Sequence, residues 1–251
     1  GRIIYIFIYV LSIFCLVEKI SNNFNIRLLI SILLFFLTFD HFLFGGYQAY
    51  LLFSLIIIIF NLLSKLNLKN LNYLQLVFLI LSSYLLAWVK NEGVFYFSFI
   101  IFYIIYLQSF NKKIFSIILF FLLIFLRIFL FSKISDFTFA SHASIDLSLN
   151  DLFYKLFLIS KHIAIAMFKH PIWILIFFSL FIKKIEKNEF YIIYFTAISS
   201  LFVYFIYLKA GTHNLDWYIA GSLDRLLFHI SGFYMMFLSY RLKYFCEKFS
   251  K

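Results

Sequence analysis

Long apolar runs dominate this sequence, and they restrict the chain to folds that can exist in a membrane. Hydrophobic side chains make up 65% of the 251 residues and charged side chains only 13%. Soluble domains contain about 45–50% apolar and about 25% charged residues. A soluble fold of this size could not cover so much apolar surface with so few charges. The composition predicts an integral membrane protein, and the net charge of +11 is interpreted as loop charge, with no nucleic-acid partner.

Nine apolar runs approach the length of about 17–25 residues that a helix needs to cross a bilayer. Backbone polar groups in lipid must pair within their own segment, so these runs predict helices. The expected fold is an all-α, polytopic membrane helical bundle of about nine transmembrane helices, in a single transmembrane domain over residues 1–251. The predicted spans are Ile3–Val17, Leu28–Phe39, Tyr47–Leu63, Tyr73–Val89, Val94–Phe110, Ile114–Phe131, Ala164–Ile182, Phe190–Leu208 and Leu226–Tyr240.

The loop charges predict an orientation in the plasma (inner) membrane. Alternate loops hold thirteen Lys and Arg against four acids, whereas the loops on the other side hold eight against seven. Cytoplasmic loops carry the excess of Lys and Arg, so the N-terminus is predicted to be external and the C-terminus cytoplasmic. The amphipathic stretch Leu152–Ile163 predicts an external interfacial helix. Pro171, the sole proline, falls within a predicted span, where neighbouring helices can tolerate it.

The first group of candidate functional residues is the sequence Lys90-Asn91-Glu92-Gly93, a predicted external turn between two spans. Ionisable residues within or beside spans are functional candidates. Lys90 and Glu92 could pair with each other, or could separately hold an anion and a hydroxyl. The alternative interpretation is a plain polar turn with Gly93 at a helix end.

A second group lies in the predicted external loop Lys209–Arg225, which contains His213, Trp217 and Asp224. The planar, permanently charged guanidinium of Arg225 suits a phosphate, and Trp217 could stack against a sugar ring. The alternatives are an interfacial aromatic belt and a salt bridge between Arg225 and Asp224.

Arg127 completes the candidate substrate-binding residues, and Asp40 is a candidate catalytic residue. Arg127 lies about 6–8 Å below the predicted external end of its span, from where it could reach the same anion. Asp40-His41 is either a solvated turn or a catalytic pair. His142 and His162 show no metal-ligand spacing with Cys or acids, so no metal site is predicted.

Three short motifs resemble bacterial multi-span glycosyltransferases of the GT-C type, relatives of the dolichyl-phosphate-mannose protein mannosyltransferases and aminoarabinose transferases. Leu85–Gly93 resembles the family segment LTKNEG, and Ser222–His229 resembles S-x-D-R-L-L-x-H. Gly46–Tyr50 resembles G-Y-A-D-L, although the family Asp falls on Ala49. The start at Gly1-Arg2 resembles the beginning of the family's second span, so the chain is interpreted as a fragment that lacks the first span and the first external loop.

The resemblance implies a membrane glycosyltransferase of the cell envelope, with its active site on the external side. It would move a sugar from a polyprenyl-phosphate carrier to a glycan, lipid or protein acceptor, with a divalent cation or basic residues at the phosphate. The family's catalytic acid precedes Gly1, which leaves Asp40 as the candidate acid within this chain, and the fragment itself is expected to be inactive. The alternatives are an envelope polysaccharide polymerase or ligase, a lipid flippase, and a solute transporter.

Overall fold

The computed structural model describes residues 2–18, 20–45, 47–134, 149–179, 181, 190–208 and 215–249. Within these ranges, side chains are described except for residues 2–3, 39–45, 47, 69, 133–134, 149–150, 190–192 and 245–249. The described part is all-helical and contains no strand, which confirms the predicted fold class at that level.

Ten α-helices make up the described part, together with a 3-10 turn at Leu68–Asn70. The chain forms two compact units, a larger one (Gly1–Ile57 with Ala143–Lys251) and a smaller one (Ile58–His142). The helices are α1 (Arg2–Val17), α2 (Phe24–Gly45), α3 (Tyr47–Lys65), α4 (Tyr73–Val89), α5 (Asn91–Leu107), α6 (Phe110–Ile134), α7 (Leu149–Lys169), α8 (Pro171–Ser179), α9 (Phe190–Leu208) and α10 (Leu215–Phe249).

The smaller unit is built around the packed pair α4 and α5, with α6 against both. Asn72 begins α4 with a capping box, because its side chain accepts a hydrogen bond from the Gln75 backbone while the Gln75 side chain accepts one from the Asn72 backbone. Such reciprocal bonds satisfy two of the backbone donors that a helix start leaves open. The Tyr84 hydroxyl of α4 donates to the Leu123 carbonyl of α6 at 2.6 Å. These contacts hold the ends of α4 in place.

In the larger unit, α10 is the central helix and contacts α1, α2, α7, α8 and α9. Its Phe228 ring stacks on Phe53 with centroids 4.9 Å apart, and Tyr9 and Tyr50 pack around the pair. All four side chains are buried. Apolar rings in offset contact stabilise a core beyond the area they bury, so this aromatic cluster anchors the middle of α10.

Two described helices are long and apolar enough to cross a membrane, namely Gln48–Lys65 and Phe110–Ser132. A third exists if the bent pair α7–α8 counts as one span. Nine spans are not supported. Within the part of the chain whose side chains are described, the other apolar segments are 10–17 residues long. These segments are Ile4–Val17, Phe24–Thr38, Tyr73–Val89, Asn91–Leu107 and Ile193–Leu208.

The predicted span Ala164–Ile182 is broken in the structure. Helix α7 runs through the predicted interfacial stretch Leu152–Ile163 and continues to Lys169, and α8 leaves it at an angle of 98°. The break lies at His170, directly before Pro171. Proline has no N–H to continue a helix and disfavours helical backbone in the residue before it, yet it fits the first position of a new helix. The physical cause of the bend is therefore local, and the prediction of a continuous span there was wrong.

Helix α10 begins at Leu215, inside the predicted external loop Lys209–Arg225, and ends at Phe249. Asp216 lies in its first turn, where the helix dipole favours an acid. Asp224 and Arg225 consequently occupy helical positions rather than a loop. Asp40 and His41, predicted to follow a span, likewise lie within α2.

Candidate functional site

The predicted turn Lys90–Gly93 is a junction of a single residue between α4 and α5. Lys90 has an extended backbone (φ −156°, ψ 163°) and begins α5 as its N-cap. Gly93 lies within the first turn of α5, and a Cβ atom added there would sit 1.8 Å from the Leu86 carbonyl oxygen of α4. Gly93 therefore permits the close approach of two helix backbones, and the interpretation that it ends a helix was wrong.

Arg127 of α6 reaches this junction. Its Nε donates to the Ala87 carbonyl at 2.8 Å, and one of its terminal nitrogens donates to the Asn91 side-chain oxygen, also at 2.8 Å. Ala87 lies in the last turn of α4, where helix carbonyls lack intrahelical partners and favour a cation. The structure thus brings Arg127 together with the Lys90–Gly93 segment, in the same end of the smaller unit.

An aromatic pair borders the guanidinium of Arg127. The Phe131 ring centroid lies 4.7 Å from the guanidinium carbon, and the Trp88 and Phe131 rings are 5.8 Å apart with an interplanar angle of 28°. Arginine stacks favourably on aromatic faces. We call Arg127, Asn91, Lys90, Trp88 and Phe131 the Arg127 cluster. The sequence did not identify Trp88 or Phe131 as site residues, although Trp88 stands two residues before the predicted turn.

Glu92 and Lys90 are half-buried at this junction, and Asn91 is exposed. Glu92 lies in the first turn of α5, where the helix dipole stabilises a carboxylate. Arg127 places a guanidinium beside the Asn91 amide and an aromatic surface, and Lys90 begins α5 at the same junction. That combination suits an anion such as a phosphate, because guanidinium and ammonium groups donate charge-assisted hydrogen bonds to it.

Asp224 and Arg225 belong to the larger unit, where Asp224 is the centre of a second group of charges. Lys169 Nζ lies 3.3 Å from Asp224 Oδ2, and His170 Nε2 lies 3.7 Å from Asp224 Oδ1. Lys169 ends α7 and His170 forms the break before α8, so α10 holds the bend through one carboxylate. We call Lys169, His170 and Asp224 the elbow cluster.

The imidazole of His170 is the strongest influence on Asp224 and lowers the pKa of its carboxyl below the usual range. Partial burial opposes this effect, and the positive charge of Lys169 adds to it. Asp224 therefore stays a carboxylate at neutral pH. Arg225, the next residue, is half-buried on an adjacent stripe of α10.

A second contact joins α7 to α10 two turns earlier, where His162 Nε2 and Asp216 Oδ1 are 2.5 Å apart. Sequence reasoning gave no partner to His162, Lys169 or His170. The sequence did contain a signal for these contacts. His162 and Lys169 are about two helical turns apart, and so are Asp216 and Asp224. Two basic residues of one helix can therefore face two acidic residues of another. Which helices would meet was not visible in the sequence.

The remaining predictions lie partly outside the described residues. His213 is not among them, and for Asp40 only the backbone in α2 is described. The described residues contain no group of three His, Cys, Asp or Glu side chains that could hold a metal ion. The described residues thus offer no such site for the divalent cation that the resemblance implies.

Comparisons with known proteins leave the chain without a family assignment. No family model, curated protein sequence or solved structure matches it. The likeness to GT-C glycosyltransferases accordingly depends on three short motifs. Two of them, Leu85–Gly93 and Ser222–His229, lie in described helices at the Arg127 cluster and the elbow cluster.

Proposed function

We propose that this chain is part of a multi-pass membrane glycosyltransferase that moves a sugar from a polyprenyl-phosphate carrier to an acceptor on the external side of the membrane. The proposal includes the plasma (inner) membrane location and the cytoplasmic C-terminus expected from the sequence. The all-helical fold and the two or three helices long enough to cross a membrane are compatible with it.

The observation that carries the proposal is the position of Arg127. Its two hydrogen bonds, to the Ala87 carbonyl and the Asn91 side chain, hold a permanently charged group at the junction that also carries Lys90. They use two of the five N–H groups of a guanidinium. The leaving group in the proposed reaction is a polyprenyl phosphate, on which negative charge develops as the sugar departs. A preorganised donor at such a charge is often the largest contribution to catalysis.

The first test is sugar transfer by the full-length natural protein, reconstituted in vesicles with a radiolabelled polyprenyl-phosphate sugar. Lys90→Ala is expected to lower the rate about tenfold or more, because it removes a cation near the developing charge. Lys161→Ala is the matched control, since Lys161 is an exposed lysine of α7 outside both clusters. Undiminished transfer by a variant would remove that residue from the mechanism, and no transfer by the natural protein would refute the proposed function.

A second prediction concerns sidedness, which the external active site requires. Asn70 and Asn91 are exposed and lie beyond opposite ends of α4, about 25 Å apart along the helix axis. With Cys15 and Cys246 replaced by serine, a membrane-impermeant maleimide added to intact cells should label Asn91→Cys. It should label Asn70→Cys only after the cells are permeabilised. The opposite pattern would place the Arg127 cluster on the cytoplasmic side and contradict the proposal.

A flippase or transporter is the second candidate function, and the broken pair α7–α8 favours it. Discontinuous helices with an ionisable group at the break are common at transporter binding sites, and His170 is buried at this break. Movement of the lipid-linked sugar across vesicles that contain the protein, with no transfer to an acceptor, would support this alternative. No described feature favours a polysaccharide polymerase or ligase.

A further inference from the structure

The first three turns of α10 present one face on which Trp217, Gly221 and Asp224 follow one another. Their separations of four and three residues place them on the same side of a helix. The Trp217 side chain is 78% exposed, although large aromatic side chains in this chain's core are almost fully buried. The Trp217 ring therefore lies at the surface of the larger unit.

Gly221 leaves this face open at its middle. A Cβ atom added at Gly221 would have no heavy atom within 4 Å, in contrast to Gly93, where the space is already filled. The helix therefore does not need glycine at position 221 for packing. Because Gly221 has no side chain, the helix surface is low between Trp217 and Asp224, whose Cα positions are about 10 Å apart along the axis. We call this low position the recess.

The Asp224 carboxylate forms the polar end of the recess and is held in place by two groups. Lys169 approaches one oxygen at 3.3 Å, and His170, which is 1% exposed, lies 3.7 Å from the other. The Asp224 side chain nevertheless remains 26% exposed. A carboxylate can accept about four hydrogen bonds, so a fixed and partly exposed Asp224 can still accept bonds from hydroxyl groups.

We propose that the face formed by Trp217, Gly221 and Asp224 binds a saccharide, as the acceptor subsite of the proposed glycosyltransferase. A sugar ring has one apolar face of C–H groups, which packs on the indole, while its hydroxyls donate to the carboxylate. The glycine recess admits the ring between them. The inference rests on the proposed function for its role, but saccharide binding itself requires no donor lipid. An interfacial tryptophan that only contacts lipid would need neither the recess nor the carboxylate.

The test uses the full chain in lipid nanodiscs with its three tryptophans replaced by 5-fluorotryptophan. The three 19F resonances are assigned with Trp88→Phe, Trp173→Phe and Trp217→Phe. Maltotriose, chitotriose and mannotriose are then titrated without any donor lipid. At least one of them should shift the Trp217 resonance saturably and leave that of the buried Trp173 unchanged. Gly221→Leu fills the recess and Asp224→Asn removes the charged acceptor, so each should weaken binding about tenfold or more.

Lys161→Ala is the matched control, because Lys161 is an exposed residue of α7 outside this face, and this variant should bind nearly as well as the natural chain. The absence of a saccharide-dependent shift at Trp217 with all three sugars would overturn the inference. Binding that is unaffected by Gly221→Leu would also overturn it, since the recess would then have no role. Saccharide binding without sugar transfer would refute only the proposed function, and transfer without binding at Trp217 would refute only this subsite.

Discussion

Replacement of Gly93 by alanine is expected to destabilise the smaller unit by about 3 kcal/mol or more. The added methyl carbon would sit 1.8 Å from the Leu86 carbonyl oxygen and 3.3 Å from the Ala87 nitrogen. Both are backbone atoms of α4, so no side chain can rotate away to relieve the overlap. The two helices must separate, and the contacts that Arg127 makes at the same junction would be lost with them. A lowered midpoint of thermal or detergent-induced unfolding would show the effect.

Gly221→Ala is the matched control for this prediction. Gly221 also lies in a helix, but the added carbon meets nothing within 4 Å. Alanine is favoured over glycine in a helix by about 0.5–1 kcal/mol, because it loses less backbone freedom on folding. Gly221→Ala should therefore leave stability unchanged or raise it slightly. Equal stability of the two variants would contradict the close approach of α4 and α5 at Gly93.

Arg127→Met is expected to reduce sugar transfer about 100-fold in the full-length protein. The methionine fills a similar volume in α6 but offers no donor to the Ala87 carbonyl, to Asn91 or to a phosphate. The charge that stabilises the departing polyprenyl phosphate would be missing, so the effect should fall on kcat more than on KM. Arg127→Lys restores the charge without the planar fork, and an intermediate rate is expected.

Asn91→Ala separates this chemical role from a structural one. It removes the acceptor of one Arg127 hydrogen bond and leaves the cation in place. If Arg127 only fixes the junction between α4 and α5, the two variants should lower transfer and stability to a similar extent. A much larger loss of kcat in Arg127→Met, with similar unfolding midpoints, supports the proposed role. Unchanged kcat in Arg127→Met would exclude Arg127 from the reaction.

Several helix boundaries could be predicted from local pattern alone. Helices α4 and α9 begin and end at the predicted residues Tyr73–Val89 and Phe190–Leu208. Each is an apolar run bounded by polar residues, so the sequence marks both ends. The break at His170 was also encoded locally, by Pro171, but its consequence was misjudged because tolerance of proline within a span depends on the surrounding helices.

The candidate residues were recognisable by type, whereas their partners were not. Lys90, Glu92, Arg127 and Asp224 stand out as ionisable residues in an apolar chain. Arg127 meets Asn91 across 36 positions, and Lys169 meets Asp224 across 55. Neither contact follows from helical periodicity, because periodicity describes one helix and not the neighbour against which it packs.

The amino-acid sequence by itself determined that the chain is helical and strongly apolar, since both properties follow from composition and from backbone pairing within each segment. The tertiary structure decided which apolar runs remain continuous, why position 93 must be glycine, and which carboxylate holds the bend between α7 and α8. Those outcomes depend on the distance and angle between helices. Packing of whole helix surfaces sets these quantities, and no short stretch of sequence contains them.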